Sequence, residues 1–99
     1  MSLAHERLIA GVALSAIRDV ALRHGAKRVS LFGSLARAEE RKGSGLDLLI
    51  ELEQGRSLLY LIAIKQDLED LTGIRVDVVT ERSLSPYFRD AVLKEATAL

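Results

Sequence analysis

Three parts of this chain have the residue types and spacing to do chemistry: Gly33-Ser34, Asp47 and Asp77. Arg28-Val29-Ser30-Leu31-Phe32 is short, contains a β-branched residue and stops at Gly33, so it reads as a strand that runs into Gly-Ser. A strand that passes through Gly-Ser into a helix presents backbone amides at the helix's positive end, where a phosphate is held. Glycine permits close approach of the phosphate, and the serine hydroxyl can donate to it. On the next strand, side-chain alternation puts positions 45, 47 and 49 on one face, so Asp47 can face that phosphate. Asp77, on the polar side of a separate strand, can bring a second carboxylate to the same pocket. Neighbouring carboxylates repel unless a cation lies between them, and hard oxygen ligands beside a phosphate suit Mg2+. The set points to a metal-nucleotide site. The plainer alternatives are an ordinary strand-to-helix turn at Gly33-Ser34 and solvent-facing strand positions for the two Asp. Asp is disfavoured in strands, which weighs against the second.

Several elements must position these residues. From Ala4 to His24, Leu8, Val12, Ala16 and Val20 form one row and Ile9, Ala13, Ile17 and Ala21 its neighbour, which predicts a helix ended by Gly25. Ser34 is expected to cap a brief helix from Leu35 to about Glu40. Arg41-Lys42-Gly43-Ser44-Gly45 reads as a loop, and Leu46, Leu48, Ile50 and Leu52 alternate with Asp47, Leu49 and Glu51 as a strand. Ser57 precedes a predicted helix, Leu58 to Leu71, ended by Gly73. Ile74 to Val79 alternates again, and Ser85-Pro86 starts a last helix running to about Thr97. The expected order is α-β-α-β-α-β-α: an α/β (α+β) fold with a small mixed three-stranded sheet covered by about four helices.

Composition narrows the classes. The 99 residues are 48% hydrophobic and 28% charged, which predicts one globular domain over 1–99. Without cysteine there is neither a disulfide nor a thiolate metal site. Fourteen Lys+Arg balance fourteen Asp+Glu, which argues against bulk binding to nucleic acid or an anionic membrane. The longest apolar run, Leu58 to Ile64, is far short of a membrane span, and the amino end lacks a signal pattern. The expected location is the cytoplasm.

Gly33-Ser34 is followed by ten residues, Leu35 to Ser44, and then by Gly45-Leu46-Asp47. This resembles the minimal nucleotidyltransferases of the DNA polymerase beta superfamily, which have Gly-Ser, ten residues, Asp-x-Asp and a third Asp on a later strand. Leu31-Phe32-Gly33-Ser34-Leu35-Ala36-Arg37, Asp47-Leu48-Leu49-Ile50, Val76-Asp77-Val78-Val79 and the Pro86 helix extend the likeness over nearly the whole chain. The resemblance implies that Asp47 and Asp77 are catalytic and metal-binding, and that Gly33, Ser34, Arg37 and Ser44 bind nucleotide. Two positions depart from the family pattern. Ala38 stands where Gly is usual, a mild change if that residue is helical. Gly45 stands in place of the first Asp of Asp-x-Asp. Loss of that carboxylate is expected to weaken metal binding and to cost several kcal/mol at the transition state, more than ~100-fold in rate.

The family's small members imply an antitoxin that transfers AMP from ATP, with Mg2+, to a tyrosine of an all-helical HEPN toxin. The alternative is a catalytically inactive binding module that neutralises a HEPN partner by complex formation. Transfer to a small molecule such as an aminoglycoside is the weakest reading, since those enzymes usually carry an added domain. Self-association is also left open. Arg37 meets either a phosphate or surface charges around Glu40. His5 and His24 are expected as exposed helix residues without metal-ligand spacing. Phe32, Tyr60 and Tyr87 are expected in the core or an interface, with one of Tyr87 and Phe88 facing outward.

Overall fold

The strand read from Leu46-Asp47-Leu48-Leu49-Ile50 becomes one of two central strands, and the other elements are best placed around it. A computed structural model describes residues 7–39 and 43–99. Their order is β1 (Leu8–Ile9), β2 (Val12–Ala13), α1 (Leu14–Arg23), β3 (Ala26–Phe32), β4 (Leu46–Leu52), α2 (Leu59–Thr72), β5 (Val76–Val79), a 3-10 turn at Glu81–Ser83, α3 (Pro86–Glu95) and β6 (Thr97–Ala98). The main sheet runs β5-β4-β3-β6. It is mixed, as expected: β4 is antiparallel to β3 and parallel to β5, with α2 making the crossover.

Alternation decides which face of β4 is buried. Leu46, Leu48 and Ile50 are sealed in the core with Val29 and Leu31 of β3, Val76 of β5, Ile17 and Val20 of α1, and Ile64 and Leu68 of α2. Each such side chain contributes about 1.5–3 kcal/mol by leaving water. Asp47, Leu49 and Glu51 are thereby turned to the opposite face. There α3 lies loosely, with none of its residues fully buried. Its start is the one expected: Ser85 accepts a hydrogen bond from the Tyr87 amide and Pro86 follows the cap.

The first helix is shorter than its periodicity predicts. Residues 8–13 form a hairpin, and α1 begins only at Leu14. Ala10 and Gly11 both have positive φ, 51° and 79°, as a two-residue turn of type I′ requires, and Gly11 supplies the second at little cost. Of the helix expected from Leu35 to Glu40, residues 35–38 form turns instead, with Arg37 N–H bonded to Gly33 C=O and Glu39 N–H to Ser34 C=O. Left-handed Ala38 breaks the helical path. Among the described residues three helices stand where four were expected, and the sheet gains the short edge strand β6. The last helix stops at Glu95 rather than Thr97 because residues 97–98 pair with β3. His5, Glu40 and the Ala4–Glu6 start of the first predicted helix lie outside the described residues.

Candidate functional site

Register brings the sequence's candidates together. Asp47 pairs with Phe32 across the β3–β4 ladder and with Asp77 across the β4–β5 ladder. Gly33 therefore follows directly beside Asp47. A Cβ on Gly33 would lie 2.3 Å from Asp47 Oδ2, and its φ is 79°. Only glycine lets the carboxylate rest against this turn. Leu35 is buried just beyond and anchors the segment to the core.

Asp47 pays for the arrangement. Burial pushes its pKa above the ordinary carboxylate value, and the negative charge of Asp77 pushes it further, while Arg75 offsets part of the rise. Such a pair suits a cation. Asp47 and Asp77 are the two carboxylates here that could hold one between strands and a bound phosphate. Among the described residues, no three His, Cys, Asp or Glu side chains gather as a metal-binding group. Gly45, the position where the resemblance implies a further carboxylate, is buried. A Cβ there would lie 3.0 Å from Arg75 Nε and 3.2 Å from Arg75 C=O. The Arg75 guanidinium occupies this space and lies 3.6 Å from Asp77 Oδ2.

On the other side of Asp47, the turn amide is already engaged. Gly33 N–H donates to Glu95 Oε2 at 2.9 Å, and Arg37 donates to Glu95 Oε1. The Gly33 bond, then Arg37, hold the Glu95 carboxyl below its usual pKa, and Glu95 correspondingly raises that of Arg37. Arg37 also meets Glu39 at 3.4 Å, while Glu40, the surface partner expected for it, lies outside the described residues. Ser34 Oγ donates to Ser44 Oγ at 3.5 Å, closing the ten-residue excursion between the two parts of the motif. Ala38 is left-handed, φ 57°, so its side chain strains the backbone, and it does not take the helical conformation in which its departure from the resembled pattern would be mild.

A cleft of about 550 Å³ opens from the two Asp, lined by Phe32, Lys65, Val79, Leu84 and Phe88 among others. Lys65 donates to Glu69 and to the Val76 C=O, and Glu69 accepts from Val76 N–H at 3.0 Å, tying α2 to the strand that carries Asp77. The aromatics are more exposed than a core assignment predicts. Tyr87 is 91% exposed and Phe88 64%, so both face outward, while Tyr60 lies under the Arg56 guanidinium. His24 caps α1 and bonds Asp67 of α2, a helix-to-helix tie rather than a free surface residue. Glu95, Arg75 and Lys65 were not foreseen. Glu95 lies 62 residues from Gly33 in sequence, and no local spacing could have revealed that contact.

The nucleotidyltransferase domain family matches residues 14–99. The chain is 46% identical over 80 residues to a Methanocaldococcus jannaschii protein named as a protein adenylyltransferase, covering 81% of this chain and 86% of that relative. It is 36% identical over 78 residues to the protein adenylyltransferase MntA of Thermococcus cleftensis, covering 79% of each. A solved structure described as a minimal nucleotidyltransferase superposes with a TM-score of 0.77 at 50% identity, over 86% of this chain and 87% of the other. One chain of a toxin-antitoxin complex with AMP-PNP superposes with a TM-score of 0.69 at 19% identity, over 86% of this chain and 71% of its own length, a likeness of fold. No helix among the described residues is long and apolar enough to cross a membrane.

Proposed function

Since the chain belongs to the nucleotidyltransferase domain family, we propose that it binds ATP and transfers AMP to a partner protein. In this reading, residues 1–99 form one minimal domain that acts in the cytoplasm as the antitoxin of a HEPN-type helical toxin. One observation carries it: Asp47 and Asp77 are register neighbours, and Asp47 rests on the Gly33 turn. The names of the adenylyltransferase relatives support the reaction, and the toxin-antitoxin structures support a protein acceptor.

Gly33 N–H and the Ser34 hydroxyl donate to triphosphate oxygens, Arg37 neutralises them, and the Ser34–Ser44 bond reverses so that the Ser44 hydroxyl donates to Ser34 Oγ. Asp47 and Asp77 fit one Mg2+, which when bound would offset phosphate charge and polarise the reacting phosphoryl group. A tyrosine oxygen of the partner forms a bond to the α-phosphorus, the α–β bridging bond breaks, and pyrophosphate leaves. Asp77, half-exposed in the cleft that both acids line, takes the tyrosine proton. The exposed Tyr87, Phe88, Leu58 and Leu59 supply apolar surface for the partner.

A second reading is favoured by Gly45 and Arg75. With a guanidinium where a ligand would stand, the domain neutralises its partner by occlusion alone. Incubation with α-labelled ATP, Mg2+ and the partner, for the natural chain and Gly45→Asp, separates the two. Label on the partner with the natural chain supports transfer. Label with Gly45→Asp only, or tight complex formation without label in either, supports occlusion.

A further inference from the structure

We propose that Glu95 is a built-in competitor for the phosphate position, so that nucleotide enters only when the end of α3 lets go of the Gly33 turn. The inference rests on reading that turn as the phosphate site, and it adds the group that controls access to it.

One carboxylate holds both donors. Glu95 Oε2 accepts from Gly33 N–H and Oε1 from Arg37. A turn amide beside a guanidinium is the donor pair that two oxygens of a phosphate would take, and a carboxylate is the protein group that matches it in charge and spacing. Glu95 also brings a further negative charge that Asp47 feels, which repels an incoming triphosphate as long as it stays. The element that carries Glu95 is suited to moving. None of α3 is fully buried, Phe88 and Tyr87 are exposed at its start, and the chain after it meets β3 at Ser30–Ala98, Leu31–Thr97 and one bond from Leu99 N–H to Val29 C=O. No α3 residue packs against the buried core, whereas Leu99 beyond it does, so α3 can loosen with little core exposed while Leu99 stays seated.

A brace that keeps the turn in shape would use the same contacts, and the two roles differ in sign. Removing a brace weakens phosphate binding; removing a competitor strengthens it. The test titrates ATP with Mg2+, and separately inorganic triphosphate, into the natural chain, Glu95→Gln and Glu95→Ala, with melting temperatures recorded. Glu95→Gln keeps the length of the side chain and one oxygen that accepts from either donor, so it remains informative should Glu95→Ala fold poorly. We expect both probes to bind about tenfold more tightly to Glu95→Ala, and to a smaller degree to Glu95→Gln. Equal or weaker binding by folded variants, with the natural chain still binding, overturns the competitor role and leaves the phosphate site standing. No binding of either probe by any form overturns the phosphate site itself, and the proposal with it.

Discussion

Asp47 and Asp77 stand side by side in the parallel β4–β5 ladder, with their carboxylates on the face turned away from the core. Nothing about folding needs two acids there. Burial and the neighbouring charge make ionised Asp47 unfavourable, and that cost falls on the fold for the sake of the site.

Asp47→Asn is therefore expected to melt a few degrees higher than the natural chain at neutral pH. The sign follows from linkage. A carboxyl whose pKa is raised on folding favours the folded form fully below its unfolded value, near 3.8, and loses that contribution as pH rises through the folded value. The advantage of Asp47→Asn should shrink as pH falls towards the unfolded value. Calorimetric melting across that range checks it; a less stable variant at neutral pH would contradict it.

Glu69 should behave in the opposite way. Its pKa is lowered by the Val76 N–H it accepts from, then by Lys65, so its stabilisation is present above the unfolded value of 4.5 and lost as pH falls through the folded one. Glu69→Ala is expected to lower the melting temperature at neutral pH, with a difference that narrows in acid. Because this contact ties α2 to the strand of Asp77, amide exchange at Val76 should also quicken.

Ala38→Gly should stabilise the chain by about 0.5–1 kcal/mol, since an L side chain at φ 57° is strained and glycine is not. Urea unfolding measures it. A loss of stability would mean that Ala38 does not hold this conformation in solution.

Gly33→Ala carries two penalties, a positive φ and a Cβ 2.3 Å from Asp47 Oδ2. The first alone costs about 1–2 kcal/mol. Adding Asp47→Ala removes the second, so the double variant should recover part of the stability lost in Gly33→Ala. Strictly additive losses in a double-mutant cycle would show that the turn and the carboxylate are not in contact.

The fold was legible wherever one periodicity stood alone. In β4, alternation of Leu46, Leu48 and Ile50 with Asp47 and Glu51 matches the observed faces, and Gly73 ends α2 with a left-handed φ of 72°. It failed where two patterns overlapped. Leu8, Ile9, Val12 and Ala13 fit a helical row and a two-stranded hairpin equally well, and the deciding feature is the Ala10-Gly11 turn. The Gly33, Asp47 and Asp77 convergence could be read because both Asp lie on strands whose facing follows from period two, and Gly33 is the turn residue directly after β3. Glu95 could not, because its contact with Gly33 exists only once α3 has folded back over the sheet.

The central claim is that nucleotide binds where the Gly33-Ser34 turn meets the paired acids of β4 and β5. Titration of ATP with Mg2+ into the 15N-labelled chain, followed by amide NMR, tests it most directly. The account predicts the largest shifts at Gly33, Ser34, Asp47 and Asp77, and much weaker binding once both Asp are replaced by Asn. Shifts confined to the opposite, helix-covered face, or affinity indifferent to the double replacement, would contradict it.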